Sequence, residues 1–408
     1  MQGADINRKA LALINDPRFL FLAMQRVGEL GVVGEERNRL VILLACITRN
    51  LRRPVSVLLK GPTSSGKTEM VRAVTQLFPP SMVVERSGLS GKALAYGKTP
   101  LAKKILYINE YRCGRDAQQL LRLLQSGEPI KHEATTVRGS HRGTTTVQRT
   151  GTPVVLTTTT DEEVFEDDET RFLSIWADES PDQTRAILVS KASAPSKYDR
   201  DDLAVWQKAM ALLKPRHGDF MRPPRWLQFV AKHIPCDTVR VRRDWGRFLV
   251  FCEAAALCRH SRLGPDESLN ISFSDYCVAY KIFEPVFAST VRGLHSRVLE
   301  LGSCVAKLNL RHSRAVSAEE VAAELGWKRT LVYKYVKPAL RHRLIHYEQC
   351  GARETNLKRF TARGKANHAF LPRPRVVFDR NPEIGNQVRY VDPFTGKFIV
   401  MKRKSTKD

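Results

Sequence analysis

Residues 55–68 read VSVLLKGPTSSGKT, and this stretch decides the fold. Val55, Val57, Leu58 and Leu59 form an apolar, β-branched run that predicts a buried strand. The run stops at Gly61-Pro62-Thr63-Ser64-Ser65-Gly66-Lys67-Thr68, which fits G-x-x-x-x-G-K-[ST]. Glycines let successive backbone N–H groups curl around a polyphosphate, and the helix predicted from Glu69 onward aims its positive end at the same anion. Lys67 is expected to reach the β- and γ-phosphates of ATP, and Thr68 to hold Mg²⁺. A Gly/Ser turn that binds nothing is the plainer alternative, but the strand before it and the amphipathic helix after it oppose that reading.

Downstream, Lys104-Ile105-Leu106-Tyr107-Ile108-Asn109-Glu110 predicts a second buried strand ending on an acid, as a Walker B site requires. Glu110 is the candidate to polarise the attacking water. Such sites commonly place an Asp beside the Mg²⁺ shell; here the position is Asn109, a neutral and weaker metal partner, so the metal candidates are Thr68, Asn109 and Glu110. An exposed Glu at an ordinary strand end is the alternative. A helix over Asp116 to Leu124 follows, then two β-prone arms, His132 to Val137 and Thr144 to Gln148. They flank Arg138-Gly139-Ser140-His141-Arg142-Gly143, predicting a hairpin with a basic tip. Lys131, Arg138, His141 and Arg142 are candidates to grip a phosphate backbone, against the alternative of a merely basic solvated loop.

Val154 to Thr159 reads as a further core strand, ending in threonines where a polar sensor of the γ-phosphate would sit; Thr158 and Thr159 are the candidates. After an acidic run, Arg171 precedes the apolar Phe172 to Ile175. That position suits an arginine finger acting on a neighbouring subunit's nucleotide, or else a local ion pair with the acidic run.

Composition points the same way. The chain has 408 residues, so two or three domains are expected, and a net charge of +25 calls for a polyanionic partner, most simply nucleic acid. No apolar stretch approaches the roughly 18 residues of a membrane span, and MQGADINRKA lacks a signal peptide's core. A cytoplasmic protein without membrane contact is expected. The eight cysteines include no C-x-x-C pair, so neither a zinc site nor a disulfide framework is indicated.

The order GVVGEERN, GPTSSGKT, ILYINE, inserted basic hairpin, VVLTTTT and ETRFLSIWADESPDQT resembles the AAA+ ATPases of mobile genetic elements. These are the mini-chromosome-maintenance-like helicases of chromosomal cassettes and the ATPase part of element proteins that carry a primase-type zinc finger. The resemblance spans about Asp16 to Thr184. It implies Lys67 and Thr68 at the phosphates and Mg²⁺, Glu110 as catalytic carboxylate, a threonine of 157–160 as sensor 1, and Arg171 as the finger. The hairpin then corresponds to one that lines a ring's central pore. Ser180 to about Leu308 reads as the helical lid; Val239 to Asp244 opens an apolar helix where relatives hold sensor 2, for which Arg243 is the candidate with Arg242 beside it, or both are solvated arginines.

Ser317 with Glu320 three residues on predicts a capped helix, Gly326-Trp327 a turn, and Lys328 to Leu344 a second helix, the spacing of a helix-turn-helix. Lys328, Arg329 and Lys334 would face duplex DNA, with two short strands forming a wing around Cys350 to Asn356; protein docking is the alternative use. The tail, rich in Pro and basic residues, is expected to be disordered or to wrap the ATPase.

The expected architecture is therefore α/β: an N-terminal helical segment (1–52), a P-loop AAA+ core (53–180, hairpin 130–150), a helical lid (181–308), a winged helix (309–365) and a basic tail (366–408). The expected function is an ATP- and Mg²⁺-dependent DNA helicase or translocase. It would work as a homo-oligomeric ring, a hexamer, with single-stranded DNA in the pore, duplex at the winged helix and a primase or other replication partner. An AAA+ origin binder or loader that uses ATP as an assembly switch is the alternative, favoured by Asn109. A nucleotide-free DNA-binding scaffold is a third. GPT-x-SGKT also occurs in tRNA dimethylallyltransferases, but those continue with D-S-x-Q-x-Y, where this chain has Glu85 to Ser90 reading ERSGLS.

Overall fold

The computed structural model describes residues 2–403 except 112–113, 139–140, 162–163, 194–199, 216–222, 237, 261–269, 292–295, 342–343, 349–358 and 363–370. Helices α1 (Gln2–Asn15), α2 (Phe19–Glu29) and α3 (Glu36–Ile47) come first. α3 is buried from Asn38 to Ile47, as suits an apolar helix wedged between neighbouring helices and a sheet. The chain continues through β1 (Ser56–Lys60), α4 (Lys67–Gln76), β2 (Val83–Arg86), α5 (Gly91–Tyr96), β3 (Ile105–Ile108) and α6 (Arg115–Ser126). Then follow the pair β4 (Ile130–Arg138) and β5 (His141–Arg149), β6 (Val154–Thr159), α7 (Glu166–Glu169) and β7 (Phe172–Trp176).

A parallel five-stranded sheet has the order β2-β3-β6-β1-β7. Helices cover both faces, so β1, β3 and β6 are continuous buried runs rather than alternating ones. Leu58, Leu106, Ile108 and Val155 share one face with Leu94 of α5 and Leu121 and Leu124 of α6. Alternation sends Val57, Leu59 and Tyr107 to the opposite face, where α3 and α4 pack. Because the strands are parallel, all their C-terminal ends lie at one edge, and the loop after β1 opens there. Arg171, before β7, lies at the other edge.

The hairpin runs in register from Ile130↔Arg149 to Arg138↔His141. Its base is fixed: Arg149 donates to the carbonyls of Leu94 and Thr99 at 2.5 Å each, and the rings of Tyr96 and His132 meet edge to face at 5.2 Å.

After the sheet come the helices α8 (Pro181–Ala192), α9 (Arg200–Leu212), α10 (Trp226–Lys232), α11 (Val241–His260) and α12 (Phe273–Val291). The chain forms two compact units, one of Met1–His233, Arg242–Phe283 and Arg373–Asp408, the other of Ile234–Val241 and Glu284–Pro372. The expected boundary at 308/309 falls inside α13 (Ser296–His312) of the second unit. That unit also holds β8 (Val316–Ser317), α14 (Ala318–Leu325), α15 (Arg329–Arg341), β9 (Ile345–Glu348) and β10 (Arg359–Ala362), with an antiparallel sheet β8-β10-β9. Ser317 and Glu320 close a reciprocal capping box on α14, and Gly326, at φ 65°, ends that helix in the left-handed region. The loop Cys350 to Asn356 lies outside the described residues.

The expected disorder of the tail is corrected. Residues 374–402 form α16 (Pro374–Arg380), β11 (Gln387–Val391) and β12 (Phe398–Lys402) within the first unit. Val377, Phe378, Val388 and Tyr390 bury enough apolar surface to order a segment whose composition is otherwise basic. Lys281 and Asp392 pair at 2.5 Å, and Arg403 donates to the carbonyls of Phe378 and Asn381 at 2.7 and 2.6 Å. Among the described residues no helix is long and apolar enough to cross a membrane. Cys46, Cys252, Cys258, Cys277 and Cys304 are buried and unbridged; Cys113 and Cys350 lie outside the described residues.

Candidate functional site

The loop between β1 and α4 is shaped by left-handed backbone at Ser64 and Gly66 and by Gly61 at φ 153°. A Cβ at Gly61 would come within 3.1 Å of Ala177 Cβ and Ser65 Oγ, so only glycine sits comfortably between the ends of β6 and β7. Gly61 N–H donates to the Thr159 carbonyl at 3.3 Å. Lys67 curls back over the loop, its Nζ donating to the carbonyls of Gly61 (2.8 Å) and Pro62 (2.5 Å) and, at 3.3 Å, to Ser65 Oγ. Burial presses the Lys67 pKa down, while the charges of Glu110 and Glu179 pull it back up. Thr63, Ser64 and Pro62 are exposed, and α4 begins at Lys67 itself, two residues earlier than its sequence suggests. The loop, Lys67, Thr68 and Glu110 are thus brought to one edge.

Asn109 lies just past β3, its N–H bonded to Arg86 O at 3.0 Å. The Thr158 hydroxyl donates to the Asn109 carbonyl, and Tyr111 N–H donates to the Thr158 carbonyl at 2.8 Å, so this threonine is locked against the Walker B segment. Thr159 Oγ1 instead accepts from Asp161 N–H at 3.1 Å. Two oxygens near the loop are buried without a hydrogen bond, Asn109 Oδ1 and the Tyr107 hydroxyl. An orphaned amide oxygen is the kind of hard donor that suits a hydrated Mg²⁺, which takes few protein ligands and keeps water and phosphate oxygens. The residues present therefore suit that ion, with Thr68 and Asn109 as its oxygen partners. Tyr107 was not legible as a site residue; its signal is a hydroxyl in an otherwise apolar buried strand.

Arg171 lies a whole strand away. Phe172 pairs with Ser56 and Trp176 with Lys60, which separates Arg171 from its own loop by about 16 Å at a rise of some 3.3 Å per residue. It donates to Ser126 Oγ at 2.5 Å and to the Arg122 carbonyl at 3.3 Å, while its buried Nε has no partner. The acidic run is engaged elsewhere: Asp168 pairs with Arg122 at 2.5 Å, and Glu169 with the buried Lys60 at 2.6 Å.

Arg243 is not brought to the phosphate loop. It donates to Thr170 Oγ1 at 2.6 Å and Thr170 O at 3.0 Å, beside Arg171, and Arg247 reaches the same carbonyl at 2.6 Å. The helix that carries the sensor 2 candidate thus starts at the opposite edge of the sheet. There a cavity of about 380 Å³ is lined by Arg52, Arg53, Arg171, Arg242, Arg243 and Arg247, and by Gln125, whose buried Nε2 also lacks a partner. Among the described residues no carboxylate lines it. Of its arginines, Arg247 is paired with the buried Asp244 at 2.7 Å, and the cavity's lining is strongly basic.

Of the basic candidates, Lys131 is exposed at the hairpin base, and the backbones of Arg138, His141 and Arg142 flank its tip; their side chains lie outside what is described. Lys328, Arg329 and Lys334 are exposed on and before α15. Arg329 pairs with Glu319 at 2.9 Å and lies over the Tyr333 ring at 5.6 Å. Lys337 and Arg341 continue that exposed face at four-residue spacing, a signal present in the sequence but passed over.

A strand, a Gly-rich loop and a helix N-terminus at the C-terminal edge of a parallel sheet, with an acid on the second strand beyond, define a P-loop nucleotide-binding domain; the sheet fits an AAA+ core. In particular, residues 24–204 match the family described as the MTBMA_p00010 P-loop domain. Among solved structures, NtrX from Brucella abortus in complex with ADP aligns over 76% of this chain and 69% of its own, at 15% identity and a TM-score of 0.25. None of the curated proteins matches the chain.

Proposed function

We propose that this protein is an AAA+ ATPase that moves along or unwinds DNA as a ring, in the replication of a mobile element. The observation that carries the reading is the two-stranded insert β4–β5, projecting from an ATPase core between α6 and β6 with its base pinned by Arg149. A hairpin with arginines at its tip, on a chain of net charge +25, is built to follow a phosphate backbone.

The chemistry is assigned residue by residue. Glu110 orients the attacking water, Thr158 fixes the Walker B turn that carries it, and Lys67 neutralises the β- and γ-phosphates. Mg²⁺, when bound at Thr68 and Asn109, would spread the charge developing on the phosphate oxygens. Arg171 faces away from its own loop, so it serves the nucleotide of a second copy, and Arg243 and Arg247 stand beside it in the same role. A heterologous contact of that kind closes into a ring, for which six copies is our assignment. The second unit, with its helix pair and three-stranded sheet, is assigned as a winged helix that meets duplex DNA through Lys328, Arg329 and Lys334.

Replacing Arg138, His141 and Arg142 by Ala tests the reading. Hydrolysis without DNA should persist, stimulation by single-stranded DNA should vanish, and the log–log salt slope of binding should flatten by roughly one to two. Persistent stimulation would remove the hairpin from the DNA path. The neutral Asn109 favours one other reading, an origin binder or loader in which ATP is an assembly switch. Strand displacement on a forked duplex separates them, because a switch assembles on DNA with ATP but unwinds nothing.

A further inference from the structure

We propose that the Tyr107 hydroxyl is a positioning group for the Thr68 hydroxyl, and through it for the metal that accompanies the nucleotide; this rests on the ATPase reading above. Tyr107 sits on β3 two residues before Asn109, so both side chains leave the strand on the face covered by α4, the helix that Lys67 and Thr68 open. Its ring is fully buried, and its hydroxyl lies against the Thr68 side chain without closing a hydrogen bond of good geometry. Asn109 Oδ1 is buried in the same condition. A buried hydroxyl without a well-formed hydrogen bond is unusual in a core strand, since a Phe at 107 would fill the same space at no polar cost.

The donor inventory shows what the phenol serves. A threonine hydroxyl has one proton and two lone pairs. It can accept the Tyr107 O–H on one lone pair and keep the other for a cation. That arrangement satisfies the phenol and fixes the threonine oxygen for the ligand.

Tyr107→Phe tests this on the full-length protein, using a fluorescent ATP analogue titrated with Mg²⁺ and thermal melting with and without nucleotide. The variant should melt no lower than wild type when nucleotide-free, because it removes an unsatisfied buried hydroxyl. Its affinity for the analogue in EDTA should be unchanged, and the Mg²⁺ midpoint should rise about fivefold, the effect of one lost hydrogen bond. An unaltered Mg²⁺ midpoint would overturn the proposal, as would a lower nucleotide-free melting point with Mg²⁺ dependence intact, which marks a packing role. Lys67→Ala distinguishes failure of the underlying reading: it should lose the analogue with or without Mg²⁺, and binding like wild type would remove the loop, and Tyr107 with it, from the site.

Discussion

Arg171→Ala should lose about 10³-fold in ATP turnover, the usual worth of an arginine finger, while binding ATP at its own loop as well as wild type does. Both halves follow from position. Arg171 precedes Phe172, which pairs with Ser56 at the start of β1, whereas the loop opens after Lys60 at its end. No side chain spans that strand, so the arginine acts on another copy or on nothing. Mixing makes the test decisive. Lys67→Ala chains have a dead loop and a sound arginine, Arg171→Ala chains the reverse, and each alone should be inactive. In an equal mixture about a quarter of head-to-tail contacts join a sound loop to a sound arginine, and activity should return to that extent. A mixture as dead as its parts would refute action in trans. Arg243→Ala should follow Arg171→Ala in this assay, because both line the same cavity and both touch the 170–171 segment or its support.

Glu110→Gln should lose at least about 10²-fold in turnover, the range for removing a positioned base, while retaining nucleotide. The side chain is isosteric, and Lys67 still has Glu179 nearby to oppose the burial that depresses its pKa. Strand displacement, if wild type performs it, should disappear in parallel. Turnover close to wild type would show that another group orients the water and that Glu110 is an ordinary strand end.

The sequence carried the nucleotide edge of this molecule almost completely. Walker A and Walker B are local patterns: a buried strand, a Gly-rich turn and a helix start need only neighbours in the chain, and so does a hairpin of β-prone arms around Gly139 and Gly143. The arginine cavity was not legible. Its members come from the 52–53 turn, the residue before β7 and the first turns of α11, which meet only because Arg243 and Arg247 dock on Thr170. Arg171, Arg242 and Arg243 stand out in the sequence one by one, but arginines are so frequent in this chain that their convergence with Arg52, Arg53 and Arg247 shows only in tertiary contacts. The tail misled for a related reason. Its Pro and basic content resembles an unfolded segment, and the pairs Val377-Phe378 and Val388-Tyr390 that order it are too short to outweigh composition. Tyr107 reads in sequence as one more bulky strand residue, and only the unpartnered hydroxyl sets it apart.

The buried pair Lys60–Glu169 has a meaning for timing. Lys60 is the last residue before the phosphate loop, and Glu169 stands two residues before Arg171; Ser174 and the Trp176 ring hold the pair from the side. Lys60 is buried and Glu169 partly so, and the ion pair couples a shift of Lys60 to Glu169. In the proposed ring, what a chain holds in its own loop would thereby be passed to the arginine it offers next door. Copies joined in this way would fire in succession rather than at random.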